Sequence, residues 1–159
     1  VTNSFSPLIF KVTQQGKVSV FTSDMRWKGQ GFNLNGIVCI NDFLIVNQSG
    51  TGKLFKISLK NSSDISVINA EAIVGADGMF TNGDNELIVI SNSQKKIVKL
   101  QSKDNWVSAE TKGETNSKDS FPTTGTMANG KYYILNAKLN ELFAGGSLTS
   151  DFTIQELKF

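Results

Sequence analysis

Two short segments of this chain carry residue types that could do chemistry together: Asn35-Gly36 and Asp77-Gly78, 42 residues apart. A carboxylate and an amide oxygen are the donors a hard divalent cation takes. Water bound to such a cation has a lowered pKa, and a nearby carboxylate can move its proton. Taken as isolated dipeptides, Asn-Gly and Asp-Gly are also ordinary turn signals, as Asn82-Gly83 and Asn129-Gly130 illustrate in the same chain. What separates the two readings is position in a repeat.

Other chemistries are closed by composition. The 159 residues include no histidine and one cysteine. No Ser-His-Asp or Cys-His nucleophilic site can form within the chain, nor a His-ligated zinc or iron site. A lone cysteine makes neither an internal disulfide nor a zinc cluster. Cys39 lies in the apolar stretch Gly36–Ile40 and is expected to be a buried, inert thiol. Gly50-Thr51-Gly52-Lys53 lacks the strand, spacing and helix of a phosphate-binding loop. The formal net charge is +2 with scattered lysines, so no nucleic-acid or membrane partner is expected. No apolar run approaches the ~20 residues that span a bilayer. No signal-peptide pattern is seen, and an opening on Val1 is expected of a processed, engineered or partial chain.

The elements that would position Asn35 and Asp77 come from self-similarity. Ile9-Phe10-Lys11-Val12 recurs as Leu54-Phe55-Lys56-Ile57 and as Ile97-Val98-Lys99-Leu100. Leu44–Asn47, Ile88–Ser91 and Tyr133–Asn136 form a second set at the same period of about 44 residues. Asn35-Gly36-Ile37, Asp77-Gly78-Met79 and Thr124-Gly125-Thr126 open the units. Each unit holds short segments rich in Val, Ile, Leu, Phe and Tyr, separated by Asn, Asp, Gly and Ser. In one unit they are 78–81, 86–91, 96–101 and 106–110. Four antiparallel strands in that length make one propeller blade. Helix should be nearly absent, since no stretch shows a 3.6-residue apolar period.

The fold class is therefore all-β, a β-propeller of about three and a half four-stranded blades, with units near 5–22, 35–69, 77–110 and 122–159. The second strands are apolar on both faces, as expected for a strand sandwiched between blades. Such an array cannot close, because propellers use about 4–8 blades. Further blades are expected from more of the same gene product, a second chain or a second copy. On this reading Asn35 and Asp77 start the innermost strands of adjacent blades and point toward the axis at one mouth of the channel.

The paired "NG" and "DG" openings, Lys95–Leu100 after the second and Pro122–Thr126 at the last unit resemble the second half of the SMP-30/gluconolactonase/luciferin-regenerating-enzyme family. The resemblance runs from Leu8 to Phe143. It implies a six-bladed propeller, of which this chain is a C-terminal half, and a lactonase- or esterase-type hydrolase dependent on a divalent cation, usually calcium. It implies Asn35 and Asp77 as metal ligands, with Asp77 also the catalytic general base and a small molecule as substrate. The family's first-half Glu and Asn ligands have no counterpart in this chain. A non-catalytic propeller, binding or structural, with an incomplete metal site is the alternative. Among other residues, Asn92 sits near a turn that could face the mouth. Asn47, Ser91 and Asn136 are expected to cap turns, Trp106 to start an outer strand and wedge between blades, and Trp27 to pack or to shape the mouth. Thr111–Ser120 reads as a solvated loop.

Overall fold

The computed structural model describes residues 1–145 and 151–159. Four antiparallel sheets follow one another along the chain. The first pairs β1 (Leu8–Val12) with β2 (Val18–Ser23). The second runs β3 (Leu34–Ile40), β4 (Phe43–Gln48), β5 (Lys53–Ser58), β6 (Ile65–Val67), in that order across the sheet. The third repeats it with β7 (Ala76–Thr81), β8 (Glu86–Ser91), β9 (Lys96–Gln101) and β10 (Glu110–Asn116). The fourth has β11 (Pro122–Ala128), β12 (Lys131–Asn136) and β13 (Thr153–Leu157). The architecture is a β-propeller array of about three and a half blades. Among the described residues, helix is confined to a single 3-10 turn at Met25–Trp27 and the five-residue α1 (Leu139–Phe143).

Side-chain alternation explains why the second strands are apolar throughout. Successive residues of a strand point to opposite faces, and both faces of a blade are covered by neighbours. Leu87 and Val89 enter one cluster with Ile45 and Leu54 of the preceding blade, while Ile88 and Ile90 enter another with Ile134 and Leu157 of the following one. A third cluster, around Ile9, Trp27, Val46, Phe55 and Ile57, joins the first two blades. Each blade junction thus has its own core. Trp27 is fully buried there, edge-on to Phe55, so its role is packing.

The ladder fixes a register that the sequence repeats left one residue out. Gln48, Ser91 and Asn136 lie opposite Leu34, Ala76 and Pro122, the first residues of the innermost strands. Asn47 is therefore not the counterpart of Ser91. It bridges blades instead: its Nδ2 donates to the Asp77 carbonyl at 2.7 Å, and its Oδ1 accepts from the Gly36 N–H. Thr2 does the same one blade earlier, donating to the Asn35 carbonyl at 2.5 Å. In the last unit, Thr123-Thr124 rather than Thr124-Gly125 stands where Asp77-Gly78 stands, because Pro122 pairs with Asn136 as Ala76 pairs with Ser91.

Two further expectations are corrected. Residues 106–109 lie outside any strand. Asn105 and Trp106 adopt positive φ of 55° and 64°, and the buried Trp106 indole donates to the Asp84 carbonyl at 2.8 Å from a loop. The outermost strand begins at Glu110 and takes up most of the polar run that read as a loop. An outermost strand faces water, so Thr, Lys and Glu suffice there, and Lys96 pairs with Glu114 across it at 2.8 Å. Cys39 is exposed rather than buried. Val38 faces the junction with the third sheet, whereas Cys39 faces the first, which has no full innermost strand to cover it.

Candidate functional site

The innermost strands β3 and β7 run side by side, and the glycines are what let them do so. A Cβ on Gly36 would lie 2.3 Å from the Asp77 carbonyl oxygen, and one on Gly78 would lie 2.4 Å from that of Thr123. Neither glycine has a positive φ. They are close-approach glycines inside strands, not turn residues. The ladder register slips at each opening, between Leu34 and Ile37 and between Ala76 and Met79. A bulge of this kind re-aims the side chains it carries. Asn35 and Asp77 are the residues so re-aimed, in equivalent positions of consecutive blades.

The two side chains meet. Asp77 is half-buried, and the Asn35 side chain beside it favours its charged form. Asn92 donates from Nδ2 to Asp77 Oδ2 at 3.0 Å. Burial pushes the Asp77 carboxyl above its ordinary value near 3.8, against the two amides, which favour the charged form. The pairing with Asn35 was readable from the repeat. The engagement of Asn92 follows from a register that only the ladder reveals: Ser49 and Asn92 each open the turn after the second strand of their blade, and both line the same cavity, as does Ser4 ahead of β1.

That cavity measures about 440 Å³ and lies at the end of the array where the innermost strands begin. Its polar lining is Asn35, Asp77 and Asn92 with Ser4, Ser49 and Ser93. Its walls are apolar: Phe32 and Val74, each two residues before an innermost strand, then Phe121, Leu139 and Phe143. Phe143 stands edge-on to Phe121 with ring centroids 6.4 Å apart. The short helix α1, inserted between β12 and β13, supplies Leu139 and Phe143. Sequence reading passed over these wall residues, although the recurrence of an apolar residue at 32 and 74 was a usable signal.

Among the described residues that line this cavity, Asp77 is the one that is ionisable. Among the described residues no three acidic or cysteine side chains cluster as a metal site would require. A calcium shell of ~6–8 oxygens is more than one carboxylate and two amides can fill. This chain's donors do not complete such a site by themselves.

No protein-family model and no curated protein matches the sequence. Solved structures do. The major allergen Mala s 1 of Malassezia sympodialis superposes with a TM-score of 0.70 at 18% identity, over 96% of this chain and 50% of that one. These are propellers. Virginiamycin B lyase from Staphylococcus aureus gives 0.61 at 15% identity, over 84% of this chain and 43% of that one. A candidate 6-phosphogluconolactonase of Bacteroides uniformis gives 0.55 at 9%, over 94% and 49%. The chain spans about half the length of these structures. Likeness at such identities shows the fold they share with this chain.

Proposed function

We propose that this chain carries the site-bearing half of a propeller hydrolase that opens small lactones or esters at its mouth, with Asp77 as the general base. The observation behind this reading is the Asp77 carboxyl itself, desolvated at the foot of a cavity of ligand size and held by Asn35 and Asn92. A carboxylate with a raised pKa is a stronger base than an ordinary one. In the step envisaged, Asp77 takes a proton from a water molecule as the water oxygen attacks the ester carbonyl. The ring or ester C–O bond breaks, and the proton passes on to the leaving alkoxide. Asn35 and Asn92 hold the carboxylate in place and keep one of its oxygens directed at the cavity.

Asn35 and Asp77 are further proposed as this chain's share of a calcium site, whose remaining oxygens come from the blades that close the ring. A bound calcium would polarise the substrate carbonyl. Those blades are proposed to come from more of the same polypeptide, a second copy or another chain.

A second reading is a non-catalytic module that binds a small molecule at the same mouth. The absence of another acidic side chain from the described cavity lining favours it. The readings separate on one experiment: hydrolysis of γ-butyrolactone by the wild type and by Asp77→Asn, with calcium added or chelated. The hydrolase reading expects a loss on the order of 10²-fold or more in the variant. Equal turnover by the two proteins overturns it. Calorimetric titration showing no calcium uptake by the native assembly removes the cation from the account while leaving Asp77 to be judged on rates.

A further inference from the structure

The cavity around Asp77 combines a carboxyl floor with a wall that holds no positive charge among the described residues. No lysine or arginine is among the described residues that line it. Lys138, at the base of α1, lies 3.7 Å from Asp119 and is absent from the lining. Around the opening the chain instead exposes aromatic rings: Phe32 is 51% and Phe143 67% exposed, and Phe5, at 80%, stands against Phe32 with centroids 5.7 Å apart. Exposed aromatic surface gathered at the entrance to a cavity marks an interaction site, because water alone offers no reason to keep it there.

From this we infer that the mouth selects uncharged lactones or esters that carry an apolar arm, and turns away phosphate-bearing ones. The inference rests on the hydrolase reading given above and names its substrate class. The polar end of the substrate meets Asp77, Asn35 and Asn92. The arm lies along Phe32, Phe121 and Phe143, where each buried methylene adds favourable transfer energy. Without bound calcium, a phosphate would have to enter beside a partly desolvated carboxylate with no lysine or arginine of the described lining to pair it, which costs far more than the ring contacts return. The product acid, carrying a new negative charge, is repelled by the same carboxylate once that is ionised.

The test compares three substrates on the full chain in its native assembly: γ-butyrolactone, γ-decalactone and 6-phosphogluconolactone. With calcium chelated, the expected result is a kcat/KM at least ~10-fold higher for γ-decalactone than for γ-butyrolactone, with 6-phosphogluconolactone not turned over. In the double variant Phe32→Ser, Phe143→Ser, the γ-decalactone preference should fall to about twofold or less, chiefly through KM. Both rings are largely exposed, so the variant is expected to fold. A Ser93→Lys variant provides the reverse arm. Ser93 is exposed on the cavity lining, and a lysine there should make 6-phosphogluconate an inhibitor where the wild type ignores it. Equal rates on the short and long lactones, or turnover of the phosphorylated one, overturn this inference and leave the hydrolase reading standing. Failure to turn over any of the three removes that reading and the inference with it.

Discussion

The two full blades and the two outer sheets are written in the same repeat, yet equivalent residues meet opposite environments. Ile57 in β5 and Leu100 in β9 are fully buried, while Val12, at the same position in β1, is 50% exposed. Leu54 and Ile97 are buried to within 2%, whereas Ile154, their counterpart in β13, is 75% exposed. The sequence treats all of these positions as core. The difference lies in what stands beside them: Ile57 and Ile97 each face another blade, and Val12 and Ile154 face the two open ends of the array. A repeat unit of this kind cannot bury its own apolar face; only a neighbour can do so. The exposed pair therefore marks the two faces that a neighbouring blade would cover.

That contrast can be broken or sharpened by mutation, with thermal or denaturant unfolding of this chain as the readout. Ile57→Ala should cost the most, about 2–5 kcal/mol, because it empties a packed site between two blades. Gly36→Ala comes next, at about 1–3 kcal/mol, since the new methyl group collides with the Asp77 backbone and forces β3 and β7 apart. The same variant should also disturb the site, as Asp77 sits on the displaced strand. Asn47→Ala should cost about 1–2 kcal/mol, the loss of a buried amide that ties both strands together. Ile154→Ser should cost within about 0.5 kcal/mol in this chain. If Ile154→Ser proves as damaging as Ile57→Ala, the open face is already covered and the half-array picture fails. Should the penalty grow only in the native assembly, the covering blade has been detected.

Blade period, strand chemistry and the pairing of Asn35 with Asp77 could all be read from the residues, because each rests on local pattern repeated at a fixed spacing. Glycine was the harder residue to interpret. Gly36 and Gly78 look like turn signals, and only the approach of the next blade's backbone, to 2.3 and 2.4 Å from a built Cβ, shows why no side chain fits. Register also escaped the pattern. Val46-Asn47 aligns plausibly with Ile90-Ser91 by residue type, but the ladder pairs Gln48, not Asn47, with the first residue of its innermost strand. Trp106 shows the limit of propensity: an aromatic that reads as strand sits at φ 64°, held there by Ser102 Oγ on its N–H and by its own indole bond to Asp84. The aromatic wall of the cavity was missed for a related reason. Phe32, Phe121 and Phe143 come from two separate loops and a short helix, and nothing in linear sequence brings them together.

The site depends on the state of a single carboxyl. Asp77 is raised in the fold, so its protonated form is favoured there relative to the unfolded chain. The stability it contributes is present below the ordinary carboxyl range and is lost as pH rises through the raised folded value. Asp77→Asn should lack that loss. Removing a bond that favours the charged form, in Asn92→Ala, should move the carboxyl further upward. The most direct test is a carbon-13 NMR titration of the Asp77 side chain in selectively labelled protein. The account predicts an inflection above 3.8 that climbs again in Asn92→Ala. An inflection at or below 3.8, unmoved by Asn92→Ala, would contradict a desolvated carboxyl held by amides at the propeller mouth.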